Sequence, residues 1–177
     1  MHIRKAGPQD IPAIIKSYEL VHDEEEAGRT TIGWVRGIYP VPETARRALG
    51  EGTLYAMEDF VEGETRLVAS GIINQTQVPE YALAHWTEDT PDDQVLVLHT
   101  LVVDPRYKGK GYGSSFVGFY EEEAAKRGCT ACRIDTNERN ASARRLYARL
   151  GYREVSIVPC NFNGIPHIQL VCLEKLI

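Results

Sequence analysis

Three glycines alternate with other residues in the segment Lys108-Gly109-Lys110-Gly111-Tyr112-Gly113, which stands between a predicted strand and a predicted helix. Glycine allows a tight turn and a close approach of a ligand to the backbone. The first N–H groups of a helix have no acceptor within the helix and carry the positive end of its dipole. We therefore predict an anion site for a diphosphate, to which Lys108, Lys110 and Ser114 or Ser115 add charge or a hydroxyl. The alternative is a tight turn that binds nothing.

Two common nucleotide-binding motifs do not match this segment. A P-loop ends in Gly-Lys followed by Ser or Thr, and no Gly-Lys in the chain is followed by either residue. The dinucleotide fingerprint Gly-x-Gly-x-x-Gly fails from either starting glycine, because Ser114 or Phe116 stands where the last glycine is needed. The phosphate ligand must therefore belong to another class.

Hydrophobic periodicity predicts the elements that carry this segment. Residues 95–103 form the longest apolar run and have the β-branched content of a buried central strand. The chain as a whole has the predicted order β-α-α-β-β-β-α-β-α-β-β, an α/β arrangement with a mixed sheet. The predicted strands are residues 2–6, 53–59, 66–75, 95–103, 131–136, 152–158 and 167–174, and the predicted helices are 11–26, 42–49, 111–127 and 140–150.

Two sequence signatures carry a family resemblance. The run from Val102 to Gly113 resembles motif A of the GNAT superfamily of acyltransferases, Gln/Arg-x-x-Gly-x-Gly/Ala after a strand that ends near a proline. The run from Asn140 to Tyr152 is similar to the second signature of that family, Asn-x-x-Ala-x-x-Leu-Tyr-x-x-x-Gly-Phe/Tyr. Lys108 departs from the motif, because the family usually has Gln or Arg there. A point charge thus replaces a planar side chain.

The resemblance implies a fold and a cofactor. It implies a GNAT fold, with a central mixed sheet of about seven strands, about four flanking helices, and acetyl-CoA as the acetyl donor. Strands 95–103 and 131–136 are expected to part at a bulge, with pantetheine lying between them like an extra strand. A backbone N–H near Leu101 or Val102 would then polarise the thioester carbonyl. The cofactor-binding residues implied by the resemblance are Leu101, Val102, Val103, Lys108, Gly109, Lys110, Gly111, Tyr112, Gly113, Ser114, Asn140, Ala143 and Tyr147.

Two side chains are candidates for proton transfer. Tyr147 stands where the family places its general acid, which protonates the leaving thiolate, although the position also suits a core tyrosine. His99 is the candidate base for the acceptor amine, since histidine titrates near neutral pH. Strand alternation predicts that His99, Leu101 and Val103 share one face. The alternatives to this base are a structural role for the histidine, a carboxylate acting through water, a water chain, or His85 or His167.

Aromatic residues in two loop-like segments are candidates for the acceptor site, because those regions wall it in this family. Trp34 and Tyr39 lie in an early loop, and Tyr81 and Trp86 lie in the long polar insertion after the third strand. The alternative is that each aromatic side chain fastens its loop to the sheet. The acidic run Asp23-Glu24-Glu25-Glu26 is either a solvated face or an acidic lip that receives an amine.

The composition limits the class of protein. The 177 residues fit one domain, residues 1–177. The formal net charge of -5 argues against nucleic acid as the main partner. No apolar run approaches the length of a membrane span and no export signal is visible, so we expect a cytoplasmic protein with reduced cysteines. Cys129 and Cys132 have no second Cys pair or suitably spaced His, so we expect no metal.

Together these inferences predict an enzyme, an acetyl-CoA-dependent N-acetyltransferase that acts on a primary amine of a small molecule or peptide. Acetylation of a protein N-terminus or lysine by the same fold is one alternative, and a non-catalytic acyl-CoA sensor is another. The apolar last strand, residues 167–174, suits either a homodimer seam or the interior of the sheet.

Overall fold

The computed structural model describes residues 1–177 and contains one seven-stranded sheet with the strand order β1-β2-β3-β4-β5-β7-β6. Strands β4 and β5 pair in parallel, and the other neighbours pair antiparallel. The predicted order of strands and helices is confirmed. The strands are β1 His2–Lys5, β2 Leu54–Val61, β3 Glu64–Asn74, β4 Val95–Val103, β5 Ala131–Asn137, β6 Arg153–Phe162 and β7 Ile165–Leu176, and the helices are α1 Ile11–Glu26, α2 Pro42–Gly50, α3 Tyr112–Lys126 and α4 Ala141–Arg149.

The helices cover both faces of the sheet. Helix α3 buries an apolar stripe, and its Phe116 and Tyr120 share a hydrophobic cluster with Leu96 and Leu98 of β4. Tyr147 of α4 belongs to the same cluster, so α3 and α4 lie on one face. Helices α1 and α2 bury a second cluster against alternate sheet residues, which places them on the opposite face.

Tyr120 ties the two central strands together at their paired end. Its hydroxyl lies 2.5 Å from the backbone oxygen of Leu96 in β4 and 3.1 Å from that of Arg133 in β5. Pairing between these strands runs only from Val95 to Leu98 on the β4 side. Beyond that point β5 continues to pair with β7, so β4 and β5 separate and leave a gap in the sheet.

A bulge at Thr100 lies where the two strands begin to separate. Thr100 has a positive φ of 49°, and the register between β3 and β4 shifts between Ser70 and Ile72. Gly71 lies opposite the bulge, where a Cβ atom would come within 2.7 Å of the Phe116 ring. A larger residue at this position would therefore displace the ring from the core.

The predicted alternation of β4 is wrong beyond His99. Leu98 belongs to the cluster under α3, and Leu101 and Val103 pack against that same cluster. The bulge adds a residue between them, so His99 points to the opposite face, toward α1 and α2. His99 and Leu101 therefore lie on different faces of the sheet.

The structure settles the position of the last strand and adds detail to the polar insertion. The last hairpin turns at Asn163 and Gly164, and β7 lies in the interior of the sheet, between β5 and β6. The polar insertion contains two short 3-10 helices, Pro79–Leu83 and Asp92–Gln94. None of the helices has both the length and the apolar character that a membrane span requires.

Candidate active site

A cavity of about 440 Å³ lies where β4 and β5 separate. It is lined by α2 on one face of the sheet and by α4 on the other, so it passes through the gap between the strands. Besides Trp34 and Tyr39, the polar side chains that line it come from helices, strands and loops that are distant in the sequence. They are Thr44, Arg47, Glu51, Asn74, Thr76, His99, Thr100, Asp135, Thr136, Asn137, Asn140, Tyr147 and Asn163.

The glycine loop presents a row of unused backbone donors. The N–H groups from Gly109 to Ser114 donate to no acceptor in the protein, and the next N–H, of Ser115, donates to the oxygen of Gly111. Gly109 and Gly111 have φ values of 81° and 82°, and a Cβ atom built on either glycine meets nothing within 4 Å. The loop therefore combines free donors with open space, as an anion site requires.

The side chains of this loop mostly point elsewhere. The Lys108 ammonium lies 3.1 Å from the Glu24 carboxylate of α1, and the Lys110 ammonium lies 5.8 Å from the centre of the Tyr107 ring. Tyr112 is buried and donates a hydrogen bond to Asp59. Of the residues predicted here, Tyr112 thus offers an anion its backbone N–H and not its side chain.

Asn140 caps the N-terminus of α4. Its Oδ1 atom accepts a hydrogen bond from the Ala143 N–H, and its Nδ2 group donates to the Thr136 hydroxyl. The Asn140 side chain thus satisfies one of the N–H groups that the start of a helix leaves unpaired. The cap also fixes the end of β5 to the start of α4, so both keep their position beside the gap.

Tyr147 lines the cavity from the α4 face with a hydroxyl that makes no hydrogen bond within the protein. Its ring packs edge-on against Tyr152, with the ring centres 5.9 Å apart. Burial raises the pKa of Tyr147 well above the usual range for tyrosine, and the charge of Asp135 adds to this effect. The phenol therefore keeps its proton at neutral pH and has it available for a partner in the cavity.

His99 lines the cavity from the opposite face in a defined tautomer. Its Nε2 atom lies 3.1 Å from Asn74 Oδ1 and 3.0 Å from the Thr76 backbone oxygen. Asn74 Oδ1 also accepts a hydrogen bond from the Thr76 N–H, which identifies it as the oxygen. Both partners of Nε2 are acceptors, so Nε2 carries the proton and Nδ1 has a free lone pair. Burial lowers the pKa of His99 and favours this neutral form.

Asp135 is a site residue that the sequence did not single out. It lies at the end of β5 on the same face as His99, and its Oδ2 atom accepts a 2.7 Å hydrogen bond from the Tyr81 hydroxyl. Burial raises the pKa of Asp135, whereas nearby His99 and the Tyr81 hydrogen bond lower it. A carboxylate that acts through water was one candidate for the base, but the sequence did not assign it to a residue. The only feature of the sequence that could have identified Asp135 is its place near the end of a predicted buried strand.

Two of the four predicted acceptor aromatics reach the cavity. Trp34 and Tyr39 line it, and their rings pack edge-on with centres 5.8 Å apart. Tyr39 also packs against Phe162 of β6, and its hydroxyl bonds to that of Thr100 at the bulge. These contacts attach the early loop to the sheet beside the cavity. Trp34 and Tyr39 therefore both line the cavity and anchor their loop.

The other two predicted aromatics lie outside the cavity. Tyr81 is buried and touches the site only through its bond to Asp135. Trp86 covers the guanidinium of Arg133 at 3.9 Å, and Arg133 pairs with the buried carboxylate of Glu174. These contacts fasten the insertion to the sheet, because burying an arginine requires a charged partner. The prediction that Tyr81 and Trp86 wall the acceptor pocket is corrected accordingly.

The acidic run Asp23–Glu26 in the last turn of α1 is neither a free solvated face nor an open acidic lip. Glu25 accepts hydrogen bonds from the N–H groups of Ile32 and Gly33. Glu24 pairs with Arg29 and Lys108, and Asp23 and Glu26 pair with Arg36. The run therefore folds the early loop over the cavity and connects it to the glycine loop.

The other reactive candidates lie away from the cavity. His85 and His167 line two separate, more open cavities. All four cysteines are free, and burial raises the pKa of the Cys132 thiol to about 12. His99 is therefore the only histidine of the chain at the gap between the strands.

Comparison with known proteins relates the chain to one family. Residues 23–152 match the acetyltransferase (GNAT) family. A 74-residue segment is 30% identical to an uncharacterized N-acetyltransferase of Methanocaldococcus jannaschii and covers 42% of this chain and 33% of that protein. A 76-residue segment is 29% identical to the thialysine N-epsilon-acetyltransferase of Bos taurus and covers 43% of this chain and 45% of that protein. These alignments span less than half the length of the two curated relatives.

Solved structures share the fold over nearly the whole chain. A GNAT family acetyltransferase from Streptococcus agalactiae superposes with a TM-score of 0.79 at 19% identity, over 99% of this chain and 95% of that one. The ribosomal-protein-S18-alanine N-acetyltransferase from Escherichia coli superposes with a TM-score of 0.65 at 18% identity, over 99% and 93% of the chains. At these identities the likeness establishes the fold alone. Because the family match covers most of the chain and the fold agrees with it, the chain belongs to the GNAT acetyltransferase family.

Proposed function

We propose that residues 1–177 form one catalytic domain that transfers the acetyl group of acetyl-CoA to a primary amine of a small molecule or peptide, by direct attack in a ternary complex. The cavity that crosses the sheet carries this proposal. It has a phenol with a free hydroxyl on one face, and an imidazole with a free nitrogen on the other. Acid and base placed on opposite sides of a gap suit a reaction in which a nucleophile enters from one side and a thiolate leaves on the other.

Features of the glycine loop and of β4 fit acetyl-CoA. The free N–H groups from Gly109 to Ser114 suit a diphosphate, and the open space at Gly109 and Gly111 lets it approach. The side of β4 that faces the gap has no strand partner beyond Leu98, so Leu101 to Val103 can pair with an extended chain of amides. When bound, acetyl-CoA supplies a thioester-activated acetyl group. Lys108 must leave Glu24 before its side chain can contact a phosphate.

His99 is the proposed base. An ammonium acceptor must lose a proton before it attacks, and the free Nδ1 lone pair of a neutral imidazole can accept that proton. Asn74 and the Thr76 carbonyl hold the opposite nitrogen in its protonated state. Asp135 lies on the same face, and its negative charge stabilises the imidazolium that forms. The same charge raises the pKa of His99 and so opposes the lowering of that pKa by burial.

Tyr147 is the proposed acid. Its phenol donates a proton to the departing sulfur, and the raised pKa of this group keeps the proton in place until it is needed. Asn140 and Ala143 line the same part of the cavity and are proposed to contact the pantetheine. A backbone N–H at Leu101 or Val102, next to the bulge, is proposed to bind the oxygen that becomes negative during attack.

The acceptor is proposed to enter on the α2 face, between Trp34, Tyr39 and the β6–β7 hairpin, which all line the cavity. An amine acceptor agrees with the activity that gives the bovine relative its name, the acetylation of thialysine at its ε-nitrogen. A panel of primary amines and short peptides, with release of free CoA measured by a thiol reagent, tests the proposal. Binding of CoA in calorimetry without any release across the panel would instead favour a non-catalytic sensor.

A further inference from the structure

The charges around the acceptor side of the cavity are few and uneven. Arg47 is the only lysine or arginine among the lining residues, and Glu51 and Asp135 are the only acids. Arg47 and Glu51 lie on the inward face of α2 or just after it, together with Thr44 and Ala48. Asp135 lies at the gap between the strands, beside His99. The cavity therefore has a guanidinium and an unpaired carboxylate, Arg47 and Glu51, at its outer end and a second carboxylate, Asp135, at its inner end.

Arg47 has no ionic partner in the protein. Its neighbour Arg46, on the outer side of α2, pairs with Glu43 at 2.7 Å, whereas Arg47 does not pair with Glu51 one turn away. Arg47 nevertheless acts on the site electrostatically. The pKa of Tyr39 is raised to about 12, mainly by burial. The hydrogen bond to Thr100 lowers this pKa, the charge of Asp135 raises it, and the charge of Arg47 lowers it. Both charges therefore lie within electrostatic reach of the Tyr39 hydroxyl.

We infer that the acceptor carries a carboxylate as well as its amine, and that Arg47 binds this carboxylate while the amine lies near His99 and Asp135. A guanidinium presents a planar set of donors that matches a carboxylate with two parallel hydrogen bonds. The inner carboxylate attracts the ammonium form of the acceptor, and the outer guanidinium attracts the opposite end. This arrangement selects an amino acid or a short peptide with a free C-terminus over a neutral or purely cationic amine. The inference rests on the proposed transfer to an amine and adds the acceptor class.

Matched pairs of acceptors test the inference. The pairs are β-alanine with β-alaninamide and 6-aminohexanoate with 6-aminohexanamide, and the quantity is the ratio of kcat/KM for acid over amide. We expect the wild-type protein to prefer the acid of the better pair by about tenfold, which corresponds to about 1.4 kcal/mol. This preference is moderate because Arg47 is exposed and water weakens its attraction.

Variants on α2 assign the preference to one side chain. In Arg47→Ala the ratio falls to about one, chiefly through KM for the acid, and Arg47→Lys keeps part of it because the charge remains without the fork. The matched control is Arg46→Ala, one residue away and directed outward, which leaves the ratio unchanged. Glu51→Gln raises the ratio, since it removes a negative charge that opposes a carboxylate. A wild-type preference for amides, or a ratio in Arg47→Ala equal to that of the wild type, overturns the inference.

Binding separates this inference from the proposed function. If no acceptor releases CoA, the proposed function fails, and the acid preference is then read from binding alone. N-acetyl-6-aminohexanoate and its amide are added to the CoA-bound protein, and saturation-transfer NMR measures each. Stronger binding of the acid that is lost in Arg47→Ala and kept in Arg46→Ala supports a carboxylate site at Arg47. Equal binding of acid and amide by the wild type refutes it.

Discussion

Replacing Asn74 by aspartate should change the pH dependence of the reaction, because Asn74 contacts the imidazole of His99 directly. In the wild type the Nε2 proton faces two neutral acceptors, at 3.1 Å and 3.0 Å. Burial lowers the pKa of His99, so the proposed base is free above its titration midpoint and is lost as the pH falls through it. A carboxylate at position 74 stabilises the imidazolium and moves this midpoint to higher pH.

The size of the effect follows from the contact distance. Two unit charges about 4 Å apart interact by about 4 kcal/mol at an effective dielectric constant of about 20. Desolvation of the new carboxylate and repulsion from Asp135 offset about half of this, which leaves about 2 kcal/mol or about 1.5 pH units. Initial rates of CoA release in Asn74→Asp should therefore decrease about tenfold or more near the lower end of the wild-type plateau and recover at higher pH.

A second cavity residue supplies the control. Asn163 also lines the cavity but makes no hydrogen bond to His99, so Asn163→Asp adds the same charge to the cavity without placing it on the imidazole. Its profile should keep the wild-type midpoint to within a few tenths of a pH unit, since water screens distant charges. The reasoning is refuted if Asn74→Asp keeps the wild-type acidic limb, or if both variants move it equally.

Three further changes test other parts of the site. Tyr147→Phe should lower kcat by about a hundredfold, as expected for loss of a general acid, while calorimetry gives a nearly unchanged Kd for CoA; an unchanged kcat excludes the acid role. Gly111→Ala should cost about 1 kcal/mol of folding free energy because of its φ of 82° and should weaken CoA binding. Gly118→Ala, inside α3 with open space for a Cβ, is the control and should stabilise the fold by about 0.5–1 kcal/mol in urea titrations. Tyr120→Phe should lower the free energy of unfolding by about 1–3 kcal/mol, since it removes a hydroxyl bonded to both central strands; a loss near zero would show that the tie does not hold them.

The fold could be predicted from the sequence because its elements have distinct periodicities. The apolar run at 95–103 and the helical spacing of Phe116, Tyr120 and Ala124 mark a buried strand and a packed helix, and both are found where expected. The glycine loop could also be located, because residues 109 and 111 adopt positive φ values that glycine tolerates and most other residues do not.

Other features of the site depend on contacts between distant segments and leave no local signal. The family resemblance implied a bulge between the central strands, but threonine rarely adopts a positive φ, so the residue type at position 100 does not mark where the bulge lies. The alternation of β4 was mispredicted for that reason. Asp135 is an ordinary acid in the sequence and gains its importance from the hydroxyl of Tyr81 and from His99. From the sequence, Trp86 could either line the acceptor pocket or anchor its loop. The guanidinium of Arg133 against its ring shows that it anchors the loop.

The bulge at Thr100 makes the proposed chemistry possible in a way that a regular strand could not. Without the extra residue, Leu101 and Val103 would lie on the same face as His99, and their side chains would leave the cluster under α3. With it, His99 faces the acceptor side while the unpaired backbone of Leu101 to Val103 borders the gap. The Thr100 hydroxyl in turn holds Tyr39, so the same distortion also secures the acceptor loop. A change that restored regular pairing at Thr100 should therefore affect the backbone that borders the gap and the Tyr39 wall of the acceptor side together.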